Sequence, residues 1–133
     1  MQITTLLGDQ LTRYLDLSSQ ELKLTAENMA NVDTPGYRTV GIEFAEEMKH
    51  SMAEAVRERE QDQKSNGHAG YKRETGATVE KIDGLLERPD GTNVSMDREG
   101  MKMAEAQLQF RAGVELLKNE FTTVLDAIHA DTK

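Results

Sequence analysis

The sequence predicts a mainly α-helical protein: long N- and C-terminal helices paired as a coiled coil, with a partly extended or flexible middle segment. Three observations predict it. Apolar residues recur every seven positions from Met96 to His129, and a second stripe at helical spacing runs from Thr4 to Asn31. Between them lie Pro–Gly turns and a nearly unbroken polar run. Periods of 3.5 to 3.6 belong to helices, and two stripes lacking a local partner bury most when they pack on each other.

The N-terminal stripe is carried by Leu7, Leu11, Leu15, Leu22 and Met29, with Ser18, Thr25 and Val32 filling the same face. Small side chains at Ser18, Ala26 and Ala30 permit close approach by another helix. The stripe stops in Asn28-Met29-Ala30-Asn31-Val32-Asp33-Thr34-Pro35-Gly36-Tyr37. Asn31 can take the left-handed conformation that ends many helices. Pro35 keeps Thr34 out of the helical region, and Gly36 supplies the positive φ of a type II turn. Local physics makes this run a C-cap and turn.

Tyr37 to Val40 reads as extended. Ile42, Phe44, Ala45 and Met48 then mark a short amphipathic helix that continues through Met52 and Val56. From Arg57 to Ala77 the apolar pattern dissolves, and a segment so polar does not offset the entropy of ordering it. Residues 57–77 are therefore expected to be flexible, or ordered only in a complex. Thr78 to Leu86 suits a strand or turn, and Pro89-Asp90-Gly91 is a turn signal. Ser95 is placed to cap the last helix, with Asp97 and Glu99 favourable against its dipole.

On that helix Met96, Met103, Phe110, Leu117 and Val124 form one line, and Val114, Phe121 and Ile128 form a second. The stretch from Met96 to His129 would run roughly 50 Å, long for a domain of this size, so it needs a partner along its length. Residues 1–33 and 94–133 thus form one discontinuous helical domain. Residues 34–93 form a region of turn, short helix and flexible or extended linker.

Only 37% of the 133 residues are hydrophobic and none is Trp, which argues against a large private core. A net charge of −8 disfavours nucleic acid and anionic lipid, both of which need Lys and Arg. The absence of cysteine removes disulfides, thiol catalysis and thiolate metal sites together. Met1 to Gln10 has neither the basic nor the apolar region of a cleaved leader, and no run approaches a membrane span. Glu47-Met48-Lys49-His50 has the Glu-x-x-His spacing of di-iron bundles. It stands alone, without the second pair such sites need, so a solvated helix face is the better reading. Gly-x-Ser-x-Gly, the Walker loop and Gly-x-Gly-x-x-Gly are all missing. No catalytic residue, cofactor site or metal site is expected.

Two segments carry a family likeness. The run Asn28 to Tyr37, following a Leu-rich helix, resembles the Ala-Asn-x-x-Thr-Pro-Gly-Tyr signature of bacterial flagellar rod and hook proteins. Asp90-Gly91-Thr92-Asn93-Val94-Ser95-Met96-Asp97-Arg98-Glu99 resembles a segment of the short proximal-rod members of that family, with Thr92 where a second Asn is common. The likeness covers about 1–50 and 89–130.

What the resemblance implies is a structural protein whose terminal helices line a hollow rod crossing the periplasm. It implies export by the flagellar type III apparatus without a cleaved leader. It also implies an adaptor place between the membrane ring or export gate and the distal rod, transmitting torque. Expected partners are other rod proteins, ring and gate junction proteins, and copies of the chain itself, with no nucleic acid and no direct lipid insertion. In this picture Met103, Phe110, Val114, Leu117, Phe121 and Val124, ending at Ile128, pack on Leu7, Leu11, Leu15, Leu22 and Met29. Asn31, Thr34, Pro35, Gly36 and Tyr37 set how the chain leaves the helical layer and meets a neighbour. A small acidic helical export chaperone, or a free coiled-coil adaptor, is the alternative reading of the same composition.

Overall fold

A computed structural model describes residues 5–64 and 76–130. The chain order is α1 (Leu6–Ala30), β1 (Val40–Gly41), α2 (Phe44–Lys64), β2 (Glu80–Lys81) and α3 (Met96–Ala130). β1 and β2 pair antiparallel, Val40 opposite Lys81 and Gly41 opposite Glu80. Helix α1 packs against both α3 and α2, and among the described residues α2 and α3 do not pack on each other.

The long terminal helices are paired, and contacts spaced along them fix their sense. Asn28 meets Glu99, Leu15 lies at Gly113, and the Thr5 hydroxyl donates to Glu120 Oε1 at 2.5 Å. Early residues of one helix thus meet late residues of the other, so the pair is antiparallel. Thr5 caps α1 by accepting from the Gly8 amide at 2.9 Å. Ser95 stands at the N-cap position of α3, its carbonyl accepting from the Glu99 amide at 2.9 Å. With 35 residues α3 extends about 52 Å. Its last turns run past Thr5, the N-cap of α1.

The line of α3 that α1 covers holds one buried carboxyl followed by two small residues. Glu99, Ala106 and Gly113 are its buried positions, each seven residues from the next. On α1 the matching face contains Ser18 and Thr25, also seven apart and buried. A Cβ added at Gly113 would lie 2.8 Å from Leu15 Cδ2 and 3.0 Å from the Tyr14 ring, so Gly113 leaves the hollow that these two α1 side chains occupy, and a larger residue there would press on them. Ala26 and Ala30, by contrast, are exposed.

Helix α2 covers another face of α1. Tyr14 and Phe44 meet edge to face with ring centres 5.4 Å apart. Leu17, Leu24, Met48 and Ala55 are buried, and the guanidinium of buried Arg13 donates to Glu58 at 2.7 Å.

Two expectations are corrected. The helix beginning at Phe44 continues to Lys64, so 57–64 is not flexible linker. Arg, Glu, Gln and Lys are good helix formers, and the Arg13–Glu58 ion pair anchors that part of the helix to α1. The rest of the polar segment, 65–75, lies outside the described residues. Asn31 does not become left-handed: it sits at φ −105° and ψ 13°, and its amide is shared among the Glu27, Asn28 and Met29 carbonyls. The reversal instead falls at Gly36, with φ 73°, where the Tyr37 amide donates to the Thr34 carbonyl at 3.1 Å. That is a type II turn with Pro35 and Gly36 at its centre.

Candidate functional site

The two segments that carry the family likeness meet at the end of the molecule where α1 stops and α3 begins. Gly36 donates its amide to the Asp90 carbonyl at 2.9 Å. Gly91, also at positive φ (82°), faces it so closely that an added Cβ would stand 3.4 Å from the Gly36 Cα. Two glycines back to back let the two turns stack. Surface ion pairs of Arg38 with Asp83 and Glu87, and of Arg88 with Asp33, flank the stack.

Beneath the turns lies a knot of buried polar side chains. Asn28 and Glu99 are 1% and 0% exposed, and with Asn93, Thr39 and Thr92 they are among the largest fully buried side chains. Asn28 Nδ2 donates to the Val40 carbonyl at 2.8 Å and to Glu99 Oε2 at 2.9 Å. Its Oδ1 accepts from the Val40 amide at 3.0 Å and from the Tyr37 hydroxyl at 3.2 Å. Asn93 repeats the pattern: Oδ1 accepts from the Thr39 amide at 2.7 Å, and Nδ2 donates to the Ile82 carbonyl at 3.1 Å. Arg98 Nη2 donates to Glu99 Oε1 at 3.3 Å and to Thr39 Oγ1 at 3.4 Å. Glu99 also sits in the first turn of α3, where the helix dipole favours a negative charge. Buried polar groups are tolerated when they are bonded, and here the bonds from Asn28 tie α1 to β1 and α3, while those from Asn93 tie the approach to α3 to the residues flanking β1 and β2.

Two groups near the seam titrate away from their ordinary values. Burial pushes the Tyr37 hydroxyl upward, and the nearby Glu27 and Glu99 carboxylates add to the shift. Burial likewise raises the Glu21 carboxyl, Glu105 across the seam raises it further, and Lys102 opposes both.

The second feature is the outer face of α3. Val114, Phe121 and Ile128 lie on one line and are 40%, 56% and 46% exposed. Beside them Met103, Phe110, Leu117 and Val124 are half-buried, flanking the Glu99, Ala106 and Gly113 line that α1 covers. On α1, Leu11, Leu15, Leu22 and Met29 are half-buried and Leu7 is exposed. In the turn Asn31 and Tyr37 are half-buried, whereas Thr34, Pro35 and Gly36 are exposed. The structure thus places the seam residues along one helix pair and the turn residues at one end of it.

Asn28 stood inside the quoted turn run without a role, as Asn93 did inside the second segment, and Glu99 was read there only as a charge favourable to the helix dipole. The available signal was the pairing itself: two Asn- and Gly-bearing segments flanking two helices that must meet. As for Glu47 and His50, their side chains turn to different neighbours. Glu47 Oε1 accepts from the Thr78 amide at 3.0 Å, and His50 Nδ1 lies 3.7 Å from Glu54. Among the described residues no three His, Asp or Glu side chains converge, and no helix is long and apolar enough to cross a membrane.

A long antiparallel helix pair, tied at one end by a polar knot and with one apolar line exposed, defines a mainly helical structural protein. The chain belongs to the family of the flagellar basal body rod protein FlgB. It is 30% identical to "Flagellar basal body rod protein FlgB" of Salmonella typhimurium over 122 residues, 86% of each chain. It is 30% identical to the protein of the same name in Escherichia coli, over 87% of this chain and 88% of that one. The Borrelia hermsii protein of that name is 26% identical over 93% of this chain and 96% of its own length. No protein-family model matches the chain.

Proposed function

We infer that this chain is a subunit of the proximal part of the flagellar basal-body rod, where it assembles with copies of itself and with other rod proteins. It acts structurally, without catalysis or cofactor, joining the membrane-ring and export-gate end to the distal rod and carrying torque between them. Type III export delivers it to that place. Residues 1–33 and 94–133 serve as the inner helical domain, and 34–93 as the region that spaces and orients it.

The observation that carries this reading is the open line Val114, Phe121 and Ile128 on α3. It continues the seam that α1 half covers, and a helix face apolar over about four turns completes its burial only against another helix. Leu15, Leu22 and Met29 support the pair from within. Thr34, Pro35 and Gly36, exposed at the far end, offer a rigid turn to an axial neighbour.

The test is biochemical. Basal bodies purified from cells carrying an epitope-tagged copy should contain the chain in the rod fraction that survives removal of the membranes. Recovery of the chain only from the cytoplasm, bound to exported proteins, would replace this reading with that of an export chaperone.

A further inference from the structure

The seam between α1 and α3 is repetitive, and repetition leaves register undecided. Along α3 the line facing α1 reads Glu99, Ala106, Gly113, and the flanking line reads Met103, Phe110, Leu117, Val124. Moving α3 by one heptad would carry Leu15 from Gly113 to Ala106, whose one added methyl asks for a small shift of the Leu15 end and the Tyr14 ring, and would replace each flanking apolar side chain by the next. Apolar packing discriminates weakly between these alignments, as in coiled coils generally, where a single buried polar residue often selects one.

We propose that Asn28 is a register pin, fixing which heptad of α3 lies against α1. Its amide bonds α3 through Glu99 Oε2 at 2.9 Å and β1 through both polar backbone atoms of Val40. β1 is held in turn to the start of α3 by Thr39 and Asn93. Asn28 is thus the vertex at which α1 joins a unit made of β1 and the α3 N-terminus. In the displaced alignment Asn28 would leave Glu99, and the buried carboxylate would lose that donor. The apolar seam supplies adhesion, and the pin supplies position. Because α3 runs past the described start of α1, the register also sets how far its open face projects. This inference stands on the helix pair alone and goes beyond the rod assignment, which survives its failure.

The chain has no cysteine, so spin labels can be placed cleanly at exposed Lys23→Cys and Lys118→Cys. In the parent chain, electron–electron double resonance should give one dominant distance. In Asn28→Leu with Glu99→Leu, which removes both members of the buried pair, helicity at low temperature should persist. A second population should then appear at a distance about 10 Å longer, seven residues at about 1.5 Å each. Glu99→Gln, whose amide oxygen still accepts from Asn28, should keep the single distance. A helical double variant with one unchanged distance would overturn the proposal, as would a parent chain without a dominant distance. Loss of helicity in the double variant would also overturn it, by making the pair a stability element and not a register element.

Discussion

The two ends of the α1–α3 pair are built from opposite chemistry. Where α1 stops and α3 begins, the interior is polar, and Asn28, Thr39, Asn93 and Glu99 are buried and bonded. Toward the other end Phe121, Leu125 and Ile128 are apolar and exposed. Hydrogen bonds are directional and costly to leave unmade, so the polar end holds one geometry. Apolar contact is non-directional, so the other end can complete its burial against a second molecule. One end specifies the subunit, and the other is available to its surroundings.

If that division is right, a substitution at the open end should spare the subunit and ruin its use. Phe121→Asp places a charge on the exposed line, so the isolated chain should keep its melting temperature. Assembly would bury that charge at a cost of several kcal/mol, and swimming in soft agar should be lost. Normal swimming would remove this face from the assembly. The converse holds at the polar end. Asn28→Ala takes the donor from Glu99 Oε2 and the side-chain partner from both polar backbone atoms of Val40. It should cost about 3 kcal/mol, seen by circular dichroism as a fall of roughly 10 °C in Tm.

Between the ends, Gly113→Val forces a side chain against Leu15 and the Tyr14 ring. Overpacking of this kind costs about 2 kcal/mol, and a denaturant midpoint should register it. At the turn, Gly36→Ala meets nothing within 4 Å, so only its φ of 73° opposes the change. A loss of about 1 kcal/mol by the same denaturant measurement would fit the strain of a left-handed alanine.

The smallest effect concerns Glu21, whose carboxyl is raised by burial and by Glu105. A raised carboxyl means that the folded state binds its proton more tightly than the unfolded one. Its contribution is therefore most favourable in acid and is lost as pH rises through the ordinary carboxylate range to the raised value. Glu21→Gln should stabilise the chain at neutral pH by less than about 1 kcal/mol, since solvent screens the site. The gain should vanish near pH 3. Parallel melts at the two pH values check it, and a gain that grew in acid would reverse the assignment.

The helices were legible because their signal is long and periodic. Five Leu and Met residues marked α1, two heptad lines marked α3, and Pro35-Gly36 marked the turn between α1 and β1. What the periodicity could not show is which line of α3 would face α1. Large apolar residues gave the expected seam, but α1 settles on the line of Ala106 and Gly113, where Gly113 leaves room for the Leu15 and Tyr14 side chains, and Val114 and Phe121 stay exposed. The extension of α2 to Lys64 was hidden because a charged run lacks apolar period, although its residues favour helix and Arg13 waits to bind Glu58. The polar knot was hidden for a different reason. Asn28, Asn93 and Glu99 are residue types that usually face water, and only the meeting of two segments 65 residues apart in sequence, Asn28 with Asn93, buries them.

The most direct measurement is a side-chain-resolution map of an intact basal body containing this chain. Val114, Phe121 and Ile128 should lie against a helix of a neighbouring subunit, with Asn28 still bonded to Glu99. A map in which that line of α3 faces open solvent, and neighbours touch the chain elsewhere, would contradict the account.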